Sequence, residues 1–339
     1  MSADTDNARI PPVGMPKGER FRLLAGHAVL VAALAALPLA GNYAQGLAAE
    51  VLIFAIFAMS LDLLIGYTGL LSFGHAAFFG LSAYAVVTLG VHLGINGWLG
   101  MLAGIVISAL GALVIGFFCI RVSGIPFLML TMAFSQLLFS ISVKWRDVTG
   151  GTDGIGGFQR PVLFGWSLDD RLVMYYVTAA GFLLAFWFLR RLIGSPLGSI
   201  FIGIRENELR MRTIGYPVQR FKLIAFVIGG AVAGLGGALY AFFNGFVSSD
   251  ILHWALSGDA IIMVILGGTG TIIGPVIGAA VFLLLKNFVS SHHEYWMLWV
   301  GVTFILCVMF LRQGVWGVLS KDLPRWLRRV PGRRRKDTR

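Results

Sequence analysis

Residues 195–215, SPLGSIFIGIRENELRMRTIG, interrupt an otherwise apolar chain with a charged segment that is typical of a short helix. Ser195 is a good N-cap, Pro196 suits the first helical position, and Gly215 suits a left-handed C-terminal cap. Two acidic residues each precede a basic residue by four positions, Glu206 before Arg210 and Glu208 before Arg212. Because that spacing stabilises a solvated helix, we expect one helix that lies on a membrane surface without crossing it.

The composition of the chain is that of a polytopic membrane protein. Of its 339 residues, 57% are hydrophobic and 13% are charged, and the mean hydropathy is +0.82, well above that of soluble domains. Lys and Arg give a net charge of +11 and concentrate near the N-terminus, in residues 190–222 and in the tail from Lys321 to Arg339. This positive-inside pattern indicates contact with anionic lipid and argues against a nucleic-acid role.

Apolar segments of about 20 residues divide most of the chain into candidate membrane spans. They are residues 23–40, 46–65, 70–90, 98–120, 124–143, 172–190 and 222–243. If the N-terminus is cytoplasmic, the 190–222 loop returns to the cytoplasm, and the loops at 144–171 and 244–258 lie outside.

The stretch 255–311 is harder to divide. Because the basic tail should also be cytoplasmic, this stretch has to cross the membrane an odd number of times. Three short crossings at about 255–271, 274–289 and 295–311 give ten spans, which we favour. A re-entrant hairpin followed by one last crossing gives eight.

The segment from Gly66 to Ala85, GYTGLLSFGHAAFFGLSAYA, mixes glycine, serine and histidine with bulky apolar residues. Small residues let helices pack closely, and broken helices also line binding sites at membrane depth, so both interpretations stay open. Asp62 and His75 are the ionisable residues nearest this segment, and intramembrane ionisable residues are functional candidates by default. The structural alternatives are a neutral, hydrogen-bonded His75 and a capping or snorkelling Asp62.

The segment from Leu266 to Ala279, LGGTGTIIGPVIGA, resembles a phosphate-binding loop but lacks its Gly-Lys-Ser/Thr ending. No Walker A sequence occurs in the chain, and Gly274-Pro275 is more typical of a broken membrane helix. The residues LGGTG that open this segment repeat the IGYTG of 65–69, and a glycine follows each copy within five residues. This faint repeat suggests two related halves, each ending a span on the cytoplasmic side.

The remaining motifs point to no metal or cofactor. Cys119 and Cys307 lie in apolar spans without ligand spacing, and the one tight cluster of potential ligands, 292–294, lies in a short loop between spans. The Gly-rich stretch from Thr149 to Pro161, TGGTDGIGGFQRP, is either part of an external docking face or a flexible linker.

Four segments of the chain, in this order, resemble the inner-membrane permeases of ABC importers for hydrophobic amino acids, in particular the LivM-like subunit for branched-chain amino acids. They are Gly66–Ala76, Thr149–Gly154, Arg205–Gly215 and Gly267–Pro275, and the similarity runs over about residues 46–312. The resemblance and the composition predict an all-α polytopic membrane protein of roughly eight to ten helices with broken or re-entrant segments and a cytoplasmic coupling helix. The expected divisions are a cytoplasmic segment at 1–22, a permease domain at 23–312 with a coupling loop at 190–222, and a basic cytoplasmic tail at 313–339.

The resemblance implies three groups of functional residues. The translocation pathway would comprise Gly66, Thr68, Gly69, Ser72, Gly74, His75, Gly267, Gly268, Thr269, Gly270, Gly274 and Pro275. The contact with an ATPase would comprise Arg205, Glu206, Asn207, Glu208, Arg212 and Gly215. Docking of a binding protein would involve Gly151 and Asp153.

The resemblance also implies partners, which are a second, LivH-like permease, two cytoplasmic ATP-binding subunits and a periplasmic binding protein. The expected location is the bacterial inner membrane with both termini in the cytoplasm, and no enzymatic activity is expected. The chain departs from the family at Asp62, where the family often has Asn, and at Leu209–Arg212, where it has small residues. Urea or short amides are the alternative substrates, and a stand-alone secondary transporter or channel is the alternative class.

Overall fold

The computed structural model describes residues 41–163, 166–290, 298, 301–302, 305 and 314–317. The expected N-terminal segment 1–22 and first span 23–40 lie outside the described residues. So do most of the expected last span and most of the basic tail.

The described residues are almost entirely helical. The helices are α1 Asn42–Asp62, continued by a π-helical turn Leu63–Thr68, α2 His75–Leu93, α3 Gly97–Cys119, α4 Ile125–Lys144, α5 Arg146–Thr149, α6 Arg171–Ile193, α7 Pro196–Glu206, α8 Glu208–Thr213, α9 Val218–Asn244, α10 Trp254–Gly267 and α11 Ile273–Ser290. A 3-10 turn covers Ser249–Leu252, and the strands are β1 Ile155–Gly156, β2 Val162–Leu163, β3 Trp166–Ser167 and β4 Phe246–Val247. Seven of the described helices are long and apolar enough to cross a membrane, namely α1 with its π-turn, α2, α3, α4, α6, α9 and α11. The all-α membrane architecture expected from composition is confirmed.

The loops collect at two opposite ends of these helices. At one end β1 pairs antiparallel with β4, which joins the 144–171 loop to the chain after α9. At the other end lie the π-turn, α7 and the corner between α10 and α11, residues 268–272. We call these the outer and inner ends, after the predicted topology. The grouping of loops agrees with that topology, because loops predicted on one side of the membrane share one end.

An eighth crossing of the described chain runs from β4 to the end of α10 and is broken. Helix α10 has 14 residues, about 21 Å of rise against roughly 30 Å of hydrocarbon. The 3-10 turn before it completes the crossing, since Ser135 near the middle of α4 donates a 2.8 Å hydrogen bond to the Leu252 carbonyl. Ser249, Ile251 and Leu252 are buried in protein, which allows irregular backbone at this depth.

The end of α11 returns to the outer end, because Asn287 lines the same cavity as Arg160 of the outer loop. Both α10 and α11 therefore traverse the bundle, and the chain does not turn back between them as a re-entrant hairpin would. The predicted break between 271 and 274 falls beside the observed corner. Within the described residues, this supports the division into short crossings on which the ten-span topology depends.

The core forms around α1 and α9, and small residues bring the helices together. Ala55, Ile56 and Phe57 of α1 are fully buried. The Ser108 hydroxyl of α3 lies 2.8 Å from the Phe78 carbonyl of α2 and 2.7 Å from the Gly230 carbonyl of α9. One hydroxyl thus links three helices, at a place where close backbone approach depends on glycine.

Gly237 of α9 provides a test of this packing, because a Cβ there would overlap the backbone carbonyl of Phe79. We expect Gly237→Ala to lower the unfolding free energy by about 1–3 kcal/mol, as overpacking does. Gly46→Ala is the matched control, since a Cβ on Gly46 meets nothing within 4 Å and alanine is the better helix former. Thermal unfolding in detergent measures both, and equal melting temperatures for the two variants would contradict the packing argument.

The two ends can be assigned to sides of the membrane by cysteine labelling. Asp153 at the outer end and Leu209 at the inner end are both exposed. In a chain with Cys119 and Cys307 replaced by alanine, we expect a cysteine at 153 to react with an impermeant thiol reagent added outside intact cells. A cysteine at 209 should react only after the membrane is opened. Labelling of both positions from one side would contradict the topology.

Candidate functional site

The π-turn at the inner end of α1 leaves one backbone carbonyl free to bind another segment. The Leu64 carbonyl accepts hydrogen bonds from the Gly69 N–H and from the Thr68 hydroxyl, the latter at 2.7 Å. The Gly66 carbonyl instead accepts a hydrogen bond from the guanidinium of Arg205, near the C-terminal end of α7. Arg205 therefore ties the surface segment to the end of α1.

Asp62 makes a second tie at the same place. Its Oδ1 accepts a 2.8 Å hydrogen bond from the Gly270 N–H, and the backbone of Thr271 lies beside the same carboxylate. Asp62 is 2% exposed, and Arg205 supplies the nearby opposite charge. Asp62 thus caps backbone N–H groups, but in the corner between α10 and α11 and not in its own helix. We call Asp62, Gly66, Arg205 and Gly270 the inner joint.

Gly66 and Gly270 make room for the inner joint, and Gly69 lies in contact with the Arg205 stem. A Cβ on Gly66 would overlap both Asp62 Oδ1 and the Gly270 nitrogen, one on Gly69 would lie 3.4 Å from Arg205 Cγ, and one on Gly270 would lie 3.0 Å from Arg205 Nη1. Gly69 and Gly270, at equivalent positions of the two repeated motifs, both have a φ of 75°, where glycine is favoured. The repeat therefore places a glycine of positive φ at the inner end twice, with both glycines beside one arginine side chain.

Ser72, Gly74 and His75 lie beyond the inner joint, within the packing of the chain. Ser72 Oγ accepts a 3.2 Å hydrogen bond from the Gly74 N–H. A Cβ on Gly74 would lie 2.9 Å from the Thr131 carbonyl oxygen. The His75 ring is fully buried. It faces three aromatic rings at centroid distances of 6.4, 5.6 and 6.4 Å, those of Phe57, Phe78 and Phe226. Packing accounts for these contacts, and a role in the pathway stays a prediction.

The segment from Gly267 to Pro275 forms the corner between α10 and α11. A Cβ on Gly267 would overlap the Gly274 carbonyl. The Thr271 hydroxyl donates a 2.8 Å hydrogen bond to the Gly268 carbonyl and accepts one of 3.1 Å from the Gly274 N–H. The break in the helix precedes Gly274-Pro275, which sit in the first turn of α11, where a proline costs no intrahelical hydrogen bond. Thr269 at the tip of the corner is exposed.

The surface segment consists of two helices, so the expectation of one continuous helix is wrong. Asn207 separates α7 from α8 with φ −159° and ψ 95°. Its Oδ1 accepts a 2.9 Å hydrogen bond from the Arg210 N–H, and an asparagine side chain that can cap a new helix competes with continuing the old one. Gly215, with φ 97°, ends α8 as expected. The N–H groups of Gly215 and Tyr216 complete a Schellman cap on the last turn.

The start of α7 agrees with the sequence in position but not in the capping bond. Pro196 is the first helical residue, and Ser195 precedes it. The Ser195 hydroxyl donates a 2.6 Å hydrogen bond back to the Leu192 carbonyl of α6 and does not cap α7. Ser195 therefore closes the turn from α6 into the surface segment.

Glu208 is partly buried and joins the surface segment to a membrane span. Its carboxylate binds Lys222 Nζ of α9 at 2.7 Å and Arg212 of α8 at 2.6 Å. Partial burial raises the pKa of Glu208, but the hydrogen bonds and charges of Lys222 and Arg212 outweigh it and hold the pKa below its ordinary value. Glu208 is therefore ionised at neutral pH, and this pairing weakens only as the pH falls through that lowered pKa.

Of the two ion pairs expected on the surface segment, Glu208–Arg212 is confirmed. The structure describes both Glu206 and Arg210 and shows no ion pair between them, because the break at Asn207 removes the helical spacing. The sequence did not indicate Lys222 as the partner of Glu208. The sharp turn at 215–217 was the available signal, since it reverses the chain and brings α9 back beside α8.

Gly151 and Asp153 lie in the outer loop. Asp153 is exposed, whereas Gly151 is buried with a φ of 63°. Besides the pairing of β1 with β4, Arg160 holds this loop to α9 by a 2.8 Å hydrogen bond to the Phe243 carbonyl. A 3.2 Å ion pair between Arg160 and Asp169 closes the loop on itself. Arg160 also borders a cavity of about 580 Å³ at this end.

Comparison with known proteins places these features in a family. The chain matches the family described as "Branched-chain amino acid transport system / permease component" over residues 43–309. A high-affinity branched-chain amino acid permease, LivM, of Salmonella typhimurium is 29% identical over 85% of this chain and 73% of its own length. The LivM of Escherichia coli is 28% identical over 78% of this chain and 68% of its own length.

A more distant relative imports a different compound. The autoinducer 2 import system permease LsrC of Klebsiella pneumoniae is 28% identical over half of each chain. No solved structure matches the chain. The family match covers every long helix described above and both copies of the repeated glycine motif. The chain is therefore a multi-pass membrane protein that belongs to the permease-component family of branched-chain amino acid transport systems.

Proposed function

We propose that this chain is the membrane-spanning subunit of an ABC importer for branched-chain or related hydrophobic amino acids in a bacterial inner membrane, with both termini cytoplasmic. The inner joint is the observation that carries the proposal beyond the family match. A charged surface segment is hydrogen-bonded to the end of one crossing, and that end is hydrogen-bonded to the corner that ends a second, as an importer driven from a separate ATPase requires. The LivM relatives, similar over most of the chain, favour branched-chain amino acids over the autoinducer carried by the half-length relative.

The proposal assigns the other parts of the importer to separate chains. Because the sequence holds no Walker A motif, two cytoplasmic ATP-binding subunits would supply ATP hydrolysis. A second, LivH-like permease would complete the pathway, and a periplasmic binding protein would deliver substrate to the outer end near Asp153. No catalytic residue and no cofactor are assigned to this chain.

The contact with the ATPase is proposed on the outer side of α7 and α8. Leu209 and Ile214 are 73% and 64% exposed, and Tyr216 beside them is also exposed. Three exposed basic side chains lie close to this apolar tip in the sequence, namely Arg210, Arg212 and Arg220. Tyrosine and arginine are common at the energetic centres of protein interfaces. The partner would therefore present an apolar groove rimmed by carboxylates.

Within the proposed coupling set, the residues divide by the direction they face. Arg205 and Glu208 bind the body of the chain, through Gly66 and Lys222 respectively. Glu206 is exposed and free to meet a partner. Asn207 caps the start of α8, Arg212 pairs with Glu208, and Gly215 ends the helix. These three residues would thus hold the apolar tip in position for the partner.

The pathway set also divides by exposure. Gly69 and Thr269 are exposed at the inner end, and Leu71 beside them is 38% exposed. The proposal assigns these residues to the inner mouth of the pathway. Ser72, Gly74 and His75 would then support the mouth from within the packed bundle.

Transport should depend on the separate ATPase. In liposomes that contain this chain, its permease partner and the ATP-binding subunits, we expect leucine uptake only with ATP inside and the binding protein outside. Omission of the ATP-binding subunits should abolish uptake even with a proton or sodium gradient. Uptake by this chain alone on such a gradient would instead support the secondary-transporter alternative.

The apolar tip can be tested by one substitution. Leu209→Ser removes an exposed apolar side chain that the proposal buries at the interface, a loss of about 1.5–3 kcal/mol or roughly ten- to a hundredfold in ATPase affinity. Leu93→Ser is the matched control, because Leu93 is 67% exposed at the outer end. Co-purification titrated with the ATP-binding subunit measures the affinity. Equal affinities for the two variants would place the contact elsewhere.

A further inference from the structure

The inner joint gathers three separate segments at one point. Arg205 comes from the end of α7, Gly66 from the π-turn after α1, and Gly270 from the corner between α10 and α11. Asp62 closes the arrangement by accepting from the Gly270 N–H at 2.8 Å. Two hydrogen bonds therefore connect the surface segment first to one crossing and then to a second.

The fit of Arg205 in the joint is specific. Its stem runs over Gly69, and its guanidinium reaches the space between the Gly66 carbonyl and Gly270. A Cβ on Gly270 would lie 3.0 Å from Arg205 Nη1 and would crowd the guanidinium. A Cβ on Gly66 would overlap Asp62 Oδ1 and the Gly270 nitrogen, so glycine at both positions lets the three segments meet.

The two connected crossings are the irregular ones. The first ends in a π-turn, a feature that often marks functional sites in helices. The second contains the short helix α10, which follows a buried 3-10 turn and ends at a glycine corner. Interrupted helices of this kind can shift at their breaks, whereas the continuous helices α3 and α4 offer no such point within the membrane.

We propose that Arg205 and Asp62 are positioning residues that join the surface segment to the π-turn and to the corner between α10 and α11, so that displacement of α7 moves the ends of both crossings together. This rests on the proposed function, because the displacement would come from the docked ATPase. Arg205 transmits the movement to Gly66, and Asp62 carries it across to Gly270. Gly66 and Gly270, which the sequence suggested as pathway lining, then provide the backbone groups to which Arg205 and Asp62 bind.

The quantity that tests the linkage is the number of substrate molecules imported per ATP hydrolysed by the reconstituted importer. We expect Arg205→Met to lower this ratio about tenfold while the ATPase still binds and hydrolyses ATP, and Arg205→Lys to recover part of it. Asp62→Ala should lower the ratio similarly. Asp62→Asn should recover most of it, because the asparagine oxygen can accept the Gly270 hydrogen bond.

Arg121→Met is the matched control. Arg121 lies just beyond the inner end of α3 over the Phe117 ring, and its replacement removes the same charge from the same end. Its ratio should equal that of the wild type. Ratios for Arg205→Met and Asp62→Ala equal to that of Arg121→Met would overturn the linkage. A wild-type importer that needs no ATPase would instead overturn the proposed function.

A second measurement keeps the inner joint intact and so does not depend on how the variants fold. Spin labels at Ser199 of α7 and Ile265 near the end of α10, both exposed and outside the proposed ATPase contact and pathway, report the distance between the surface segment and the end of this crossing. We expect this distance to stay the same in the nucleotide-free and ATP-bound importer, because the two segments move as one. A distance that changes between these states would show that the joint opens and would overturn the proposal.

Discussion

Every backbone N–H and carbonyl inside a bilayer needs a partner within the protein, because hydrocarbon offers none. The continuous helices of this chain meet that requirement locally, but the two irregular crossings cannot. Residues distant in sequence pair the free backbone groups of these crossings. Ser135 donates to the Leu252 carbonyl, and Arg205 donates to the Gly66 carbonyl. Asp62 accepts from the Gly270 N–H. The places where the chain departs from regular helix are therefore the places where separate segments are bound together.

Glycine sets how closely those segments can approach. At Gly230 and Gly237 the absence of a side chain lets α9 lie directly against α3 and α2. At Gly66 the space is taken by the Asp62 carboxylate and the Gly270 backbone, and at Gly270 it is bordered by the Arg205 guanidinium. Glycine thus permits close packing of apolar helices in the core and a polar contact at the inner end. The two cases differ in whether apolar or polar groups of the neighbouring segment occupy the space beside the glycine.

The amino-acid sequence alone predicted the elements whose signals are local. Apolar length gave the boundaries of the long helices to within a few residues, and Gly215 marked the end of α8 because a positive φ there favours glycine. The break at Asn207 was missed, because the neighbouring residues do not indicate whether this asparagine continues one helix or caps the start of a second. Whether the helix continues or breaks at Asn207 depends on contacts outside the segment. Glu208 binds Lys222, and Arg205 binds the Gly66 carbonyl.

The candidate site was predictable in parts but not as an arrangement. Asp62, Gly66, Arg205 and Gly270 were each singled out from the sequence, but in three different roles. Asp62 was a candidate cap, Gly66 and Gly270 were candidate pathway lining, and Arg205 was a candidate ATPase contact. Their convergence depends on sequence separations of 139 residues for Arg205 to Gly66 and 208 for Gly270 to Asp62. No spacing within one chain encodes contacts at that distance. The repeated Thr-Gly pair was the sequence feature that hinted at them, because two similar motifs at the same end can face a common partner.

The buried ionisable side chains at the inner end each bind a second segment of the chain. Lys222 is nearly inaccessible at the start of α9, and Glu208 neutralises it while fixing α8 against that helix. Asp62 is equally enclosed, and its Oδ1 accepts a hydrogen bond from the Gly270 N–H beside the charge of Arg205. Since burying a polar or charged group without such a partner is unfavourable, each contact holds its two segments in one relative position. The surface segment is thereby fixed at both of its helices, α7 by Arg205 and α8 by Glu208. A force applied to its exposed tip would consequently reach the membrane crossings as a displacement of the segment as a whole, with little lost to bending at Asn207.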